Sequence, residues 1–369
     1  MKITAIETWN FCPAFRDGPY VMSHVTQEAA YGRILRVTTD NGHSGLGEMV
    51  FAPLMTPEER HNRIASERDY LPELIGQSID ALPALAEDVR GRGKFWCGIA
   101  FGLDTAFFDL TGRQQNRPVS GLLGGAATEA VSGYFSVSER TAERIKQRIT
   151  EAGAHTKVIQ LKIGIGSLDD DTTQVTAALD AMSPSQRLLA DANGGWSVND
   201  ALSVIERFDD ERIVWEEPCQ TYDDNATVAR RSSAPVMVDQ CVGDTATALK
   251  AAEDGVVASI CIKPAFLGGL TPARQIRDTC AQVGMNMRID GPWCGDIATA
   301  AILHLAVGAP PELMVAGADL REPLAIEPDL AGAIYLDNAR IAPPPGPGLG
   351  ITIKDGTLGE PEAIYASGN

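Results

Sequence analysis

Five charged residues close five short apolar runs at nearly even spacing. Val158-Ile-Gln-Leu ends in Lys162, Leu188-Leu-Ala in Asp191, Ile213-Val-Trp in Glu216, Val236-Met-Val in Asp239 and Ile260-Cys-Ile in Lys263. The intervals are 29, 25, 23 and 24 residues, each about the length of one strand–helix unit. If parallel strands close into a barrel, their C-terminal ends share one mouth, and these side chains would meet there. Asp191, Glu216 and Asp239 are hard oxygen ligands. With water and substrate oxygens in the remaining positions, three carboxylates suit magnesium better than zinc, with manganese as a substitute. Without a cation they would repel one another until some protonated. None of the histidines, at 24, 43, 61, 155 and 304, falls in the ladder. Lys162 and Lys263 flank the carboxylates. A lysine partly desolvated beside a divalent cation has a lowered pKa and serves as a base near neutral pH. One lysine on each side of a bound carbon acid takes a proton from one face and delivers it to the other. The metal stabilises the enediolate formed from the substrate carboxylate.

The elements that must position these residues are legible around them. From about residue 130 onward, strand and amphipathic helix alternate, with strand candidates near 131, 158, 187, 212, 235, 257, 285 and 312. Eight strands alternating with helices imply a parallel barrel. The first stretch differs. Ile3–Trp9, Arg33–Thr39 and Ser44–Val50 alternate as antiparallel strands, with Asp40-Asn41-Gly42 as a hairpin turn. Segments near 57–75, 79–91 and 96–116 read as helices, the third carrying Asp104 and Asp109 in apolar surroundings. Gly121-Leu-Leu-Gly-Gly125 lacks the GK[ST] ending of a phosphate loop and reads as a turn between domains. Pro343 to Gly350 is too rich in Pro and Gly for a helix and is expected to pack back onto the first domain. The division is an α+β domain over 1–125, a barrel over 126–329 and a returning tail over 330–369.

The 369 residues suffice for a barrel of about 250 plus an extra module. A 44% hydrophobic share supplies a large core, and no run of about 18 apolar residues marks a membrane span. Met1-Lys-Ile-Thr-Ala-Ile reads as a strand rather than a signal peptide. The net charge of -18 argues against nucleic acid or anionic membrane as partners. It does not exclude an anionic substrate, because a bound cation and lysines would invert the local field. Seven scattered cysteines form no CxxC motif and no zinc spacing, and read as reduced thiols of a cytoplasmic protein.

Taken together, Gln160-Leu-Lys162, Asp191-Ala-Asn193-Gly-Gly-Trp196, Glu216-Glu-Pro-Cys219, Asp239-Gln240 and Lys263 followed by Gly268-Gly269 resemble the muconate lactonizing enzyme subgroup of the enolase superfamily. The resemblance covers nearly the whole chain. It implies an α+β capping domain on a (β/α)7β barrel, one magnesium per subunit on Asp191, Glu216 and Asp239, and Lys162 and Lys263 as the acid/base pair. A homodimer or homo-octamer acting on a small carboxylate is implied as well. Finer features, among them Asp296-Ile-Ala-Thr-Ala-Ala-Ile-Leu-His304, are similar to the branch acting on proline-like acids as cis-3-hydroxyproline dehydratases and hydroxyproline-betaine epimerases. On that likeness Asp319 would pair with a ring ammonium and Trp293 would cover the ring. Tyr20 and His24, in a capping loop over Gly18–His24, and Asp290 and Asn193 would complete the substrate contacts. The sequence departs from the branch at Gln240, at Asp290-Gly291-Pro292, at Trp96-Cys97-Gly98 and at Arg321-Glu322, and so leaves ring, leaving group and stereochemistry open. Dehydration is the favoured outcome, with racemisation or 2-epimerisation as the alternative. Two further classes are an aldolase with a Schiff base on Lys263 and a non-catalytic binding protein.

Overall fold

Residues 1–16, 18–21, 26–53, 55–317, 320, 323–326, 330, 334, 339–354 and 356–367 are described by a computed structural model. The chain opens with an antiparallel sheet of β1 (Ile3–Phe11), β2 (Gly32–Thr39) and β3 (Ser44–Val50). Three helices cover it: α1 (Pro57–Tyr70), α2 (Leu82–Gly91) and α3 (Cys97–Gln114). A capping box starts α1, in which the Thr56 side chain accepts from the Glu59 N–H and Glu59 accepts from the Thr56 N–H. Helix α3 is buried along most of its length because its backbone lies directly on β3. A Cβ added to Gly47 would sit 2.0 Å from the Gly102 carbonyl oxygen, so only glycine permits that approach.

The barrel follows with β4 (Phe135–Val137), β5 (Val158–Lys162), β6 (Arg187–Asp191), β7 (Ile213–Glu216), β8 (Val236–Val238), β9 (Ser259–Ile262), β10 (Asn286–Ile289) and β11 (Met314–Gly317). They form one parallel sheet in sequence order. Between them run α4 (Ala142–Ala152), α5 (Leu168–Ala181), α6 (Val198–Ile205), α7 (Tyr222–Ser232), α8 (Thr245–Asp254), α9 (Leu270–Val283) and α10 (Asp296–Ala306). Side chains alternate along each strand. Ile159, Leu161, Leu188, Ala190, Ile213 and Trp215 point outward and join the core shared with the helices. Val158, Leu189, Val214, Met237, Cys261 and Ala316 point inward and cluster into an apolar floor. The next inward positions, two residues on, are Gln160, Asp191, Glu216, Asp239 and Lys263. Four members of the charged ladder therefore lie in the layer directly above that floor, with Lys162 one inward position beyond Gln160.

The first barrel strand lies later than expected. Val131–Ser132 pairs antiparallel with Arg340–Ile341, and Phe135–Val137 carries the parallel ladder. Val131 instead packs against Gly317, where an added Cβ would lie 2.6 Å from its side chain. The tail returns as β12 (Ala363–Ala366), antiparallel to β1. Asp109 of α3 joins β3 to the Pro- and Gly-rich part of the tail, its carboxylate accepting from the Leu46 N–H at 2.9 Å and the Leu349 N–H at 2.8 Å.

Two buried carboxylates of the first domain cap barrel helices. Asp104 of α3 accepts from the Thr271 N–H at 2.9 Å and the Thr271 hydroxyl at 2.8 Å, at the start of α9. Glu48 of β3 accepts from the Gly295 N–H at 2.6 Å and the Ala298 N–H at 3.0 Å, at the start of α10. Gly269 and Gly295, the residues ahead of those helices, offer no side-chain cap of their own. Among the described residues no helix is long and apolar enough to cross a membrane.

Candidate active site at the barrel mouth

Strand register sets the ladder side by side: Lys162 is the partner of Asp191, and Asp191 of Glu216. Asp239, Lys263 and Asp290 each stand one residue past the ends of β8, β9 and β10. All three candidate ligands are buried, as is Asp290. The three carboxylates do converge, but they do not face one another bare. Nitrogen donors fill the space, so that among the described residues no acidic, His or Cys cluster forms a ready-made metal cage. Gln160 Nε2 bridges Asp191 Oδ2 at 3.0 Å and Glu216 Oε2 at 2.9 Å. Lys162 Nζ lies 2.5 Å from Asp191 Oδ2, and Lys263 Nζ lies 2.7 Å from Asp239 Oδ2. Arg288 of β10 grips both oxygens of Glu216, Nη1 to Oε2 at 2.8 Å and Nη2 to Oε1. The remaining oxygen of Asp191, Oδ1, accepts from the Asn193 N–H at 2.9 Å and from Asn193 Nδ2.

A carboxylate offers about four lone-pair sites. Those of Asp191 are all engaged, and Glu216 keeps one on Oε1. Asp239 Oδ1 is buried with no partner. Asp239 Oδ1 and Glu216 Oε1 thus keep open acceptor capacity, and Asp191, Glu216 and Asp239 are the residues that would hold a divalent cation. The donor set, hard oxygens around an orphaned carboxylate oxygen, fits magnesium or manganese.

The loops behind these residues are held in sparsely populated backbone conformations. Asn193 has φ 49° and Glu217 φ 43°. The buried Glu217 carboxylate ties the next loop in place, accepting from the Asp239 N–H at 2.5 Å and the Cys241 N–H at 2.7 Å. Burial, with Asp239 nearby, pushes the Glu217 carboxyl up to about 8. Glu216 is also raised by burial, against the opposing pull of Arg288. Asp239 is lowered: burial works upward, but Lys263 and Arg288 outweigh it.

Each of the two lysines sits in an ion pair with a carboxylate. Burial works against their charge, yet Asp191 beside Lys162 and Asp239 beside Lys263 outweigh it, and both ammonium groups are held above their usual range rather than below it. A divalent cation held by the same carboxylates would work against these ion pairs, in the downward direction expected from the sequence.

Lys162 and Lys263 open onto one cavity of about 260 Å³. Tyr20, Asn193, Gln240, Asp290, Gly291, Pro292 and Trp293 line it too. Tyr20 meets Trp293 edge to face at 5.4 Å between ring centroids. Asp290 Oδ2 accepts from the Tyr134 hydroxyl at 3.1 Å and pairs with Arg288 Nε at 3.2 Å, while its Oδ1 is buried and unpartnered. Asn193 lines the cavity with its amide already committed to Asp191. His24, Asp319, Arg321 and Glu322 lie outside the described residues. Trp96, Cys97 and Gly98 do not line the cavity; their neighbour Phe95 does. Sequence reasoning also missed Gln27, Tyr134, Phe266 and Arg288. The only signal for Arg288 was its place two residues before Asp290, on the same inward face.

The chain is similar to known proteins over nearly its whole length. Residues 140–357 match the family described as Enolase C-terminal domain-like, and residues 5–124 match the Mandelate racemase / muconate lactonizing enzyme, N-terminal domain. The chain belongs to the mandelate racemase/muconate lactonizing enzyme family of the enolase superfamily. It is 31% identical to the cis-3-hydroxy-L-proline dehydratase of Roseibium aggregatum, over 99% of this chain and 100% of that protein. It is 25% identical to the N-succinyl-L-Arg/Lys racemase of Bacillus cereus, over 98% of each chain. A solved enolase superfamily member from Roseovarius nubinhibens, complexed with magnesium, superposes with TM-score 0.88 at 29% identity over 99% of each chain. The chain is an enzyme of this superfamily, with the lyase or racemase chemistry of its named relatives, and its fold is their modified TIM barrel with an N-terminal α+β domain.

Proposed function

We propose that this enzyme removes the proton α to the carboxylate of a small cyclic amino acid and expels its β-hydroxyl as water, with cis-3-hydroxy-L-proline as the representative substrate. The observation that carries the proposal is the pair Lys162 and Lys263, on non-adjacent strands, opening onto one small cavity with an aromatic wall and a spare carboxylate oxygen on Asp290. Asp191, Glu216 and Asp239 would hold Mg2+, or Mn2+ in its place, whose charge opposes the negative charge that builds on the substrate carboxylate. One lysine, as the free amine, takes the α-proton. The other, as the ammonium, protonates the departing hydroxyl, so that C–H and C–O bonds break, a ring double bond forms and water leaves. Asp290 Oδ1 accepts from the ring ammonium, and Tyr20, Trp293 and Phe266 close the ring off from solvent. The likeness to a cis-3-hydroxy-L-proline dehydratase over the full chain supports this substrate class.

The equivalence of the two lysines supports a second reading, racemisation or 2-epimerisation of a proline derivative. Lys162→Ala and Lys263→Ala in deuterium oxide separate the two. Each should lose about 10²–10⁴-fold in turnover, the usual size of a general acid/base contribution. For dehydration, one lysine alone is indispensable for α-deuterium exchange and the other for loss of water. For epimerisation, each variant exchanges one enantiomer only. Turnover like that of the unmodified enzyme in either variant would end the two-lysine reading.

A further inference from the structure

Arg288 has no role in the chemistry above, yet its guanidinium lines the cavity and is buried. Beyond its grip on Glu216, its Nε lies 3.2 Å from Asp290 Oδ2 and 3.3 Å from Cys261 Sγ, and its plane sits 5.2 Å from the centroid of Tyr134. Four buried carboxylates, Asp191, Glu216, Asp239 and Asp290, share this layer with three cations. The lysines serve Asp191 and Asp239, and Arg288 is the cation that serves Glu216.

We propose that Arg288 is a built-in counter-cation that stands in for a divalent metal at Glu216, keeps the carboxylate layer folded when no metal is bound, and so weakens metal binding. This rests on the metal reading of the proposed function. A divalent cation arriving at Glu216 meets a fixed positive charge in a site where charges are poorly screened, and oxygens already shared with a guanidinium. Without Arg288, Glu216 would be a buried carboxylate paired only with the amide of Gln160, an arrangement that is strongly destabilising until a cation supplies the missing charge. Metal binding would then be linked to stability more tightly than in the natural chain. The opposing possibility is that Arg288 merely orients Glu216 for the metal, in which case its loss weakens binding.

The test compares the full-length protein with Arg288→Met, which removes the charge, Arg288→Gln, which keeps a donor without charge, and Arg288→Lys, which keeps the charge. Each is stripped of metal, titrated with Mn2+ by electron paramagnetic resonance, and melted with and without Mg2+. Arg288→Met and Arg288→Gln should bind Mn2+ at least ten-fold more tightly and gain more in Tm from Mg2+, while Arg288→Lys stays close to the unmodified protein. Folding of Arg288→Met only when Mg2+ is present would support the proposal. If it folds under neither condition, Arg288→Gln decides. Equal or weaker Mn2+ binding in the neutral variants overturns the proposal. Binding by the neutral variants but not by the natural chain supports Arg288 as the blocking charge and sinks the metal-dependent reading instead; binding by none sinks both.

Discussion

Glu48 couples the two domains through a group that titrates near neutrality. Its carboxylate belongs to β3, but its partners are the Gly295 and Ala298 N–H groups at the start of α10. Burial, aggravated by Asp296, pushes its carboxyl from 4.5 to about 7 against the lowering effect of those two N–H donors. An acid whose folded pKa is raised binds its proton more strongly folded than unfolded. Its contribution is present below about pH 4.5 and is lost as pH rises through about 7. Over the whole window the rise corresponds to roughly 3 kcal/mol, of which roughly 2–3 kcal/mol falls between about pH 5 and pH 8. Glu48→Gln resembles the protonated acid and has nothing to titrate. Relative to the unmodified protein, the variant should therefore gain roughly 2–3 kcal/mol between those two pH values. Urea unfolding of both proteins at each pH measures it, because subtracting the two profiles cancels every other titrating group. Parallel profiles would show that Glu48 is ionised throughout and that the cap holds its charge as easily as water does. The consequence reaches the site, since the loop ending at Gly295 carries Asp290, Pro292 and Trp293 into the cavity.

The ladder was legible because its logic is local. Inward alternation on a strand has period two, and parallel strands of a barrel end at one mouth, so Lys162, Asp191, Glu216, Asp239 and Lys263 needed only their spacing to be placed together. What spacing does not encode is who occupies the gaps. Gln160 bridges two carboxylates only because β5, β6 and β7 are neighbours in register, and Arg288 reaches Glu216 across the barrel. Phe95 comes from the other domain. The first strand was misplaced because Val131 and Val137 are equally apolar; the choice between them is made by Gly317, which leaves room for Val131 at the barrel seam. Asp104 and Asp109 were visible as acids in an apolar helix, but their partners, Thr271 and Leu349, lie far along the chain.

Asp104→Ala should destabilise the protein by roughly 1–2 kcal/mol, the usual cost of a lost helix cap, read as a lower urea midpoint; an unchanged midpoint would show that α9 is capped by other means. Exhaustive chelation should abolish turnover and Mg2+ or Mn2+ restore it, with Asp239→Asn requiring more metal because a charged ligand becomes neutral; full turnover after stripping would refute a metal role. The last expectation concerns Asp290, whose Oδ2 is fixed by Tyr134 and Arg288 while Oδ1 is buried, unpartnered and on the cavity wall. A buried acceptor left unmade is costly, so its place is explained if a ligand donor completes it. A ring ammonium does so with a charge-assisted bond, and Asp290→Asn keeps the shape while removing the charge. Substrates bearing the ammonium should then lose roughly 2–4 kcal/mol in kcat/KM, and analogues lacking the nitrogen should be nearly indifferent. Equal losses on both would show that Asp290 acts only as the anchor of Arg288 and Tyr134. Only the difference between the two kinds of substrate assigns it to recognition, because any structural damage is common to both.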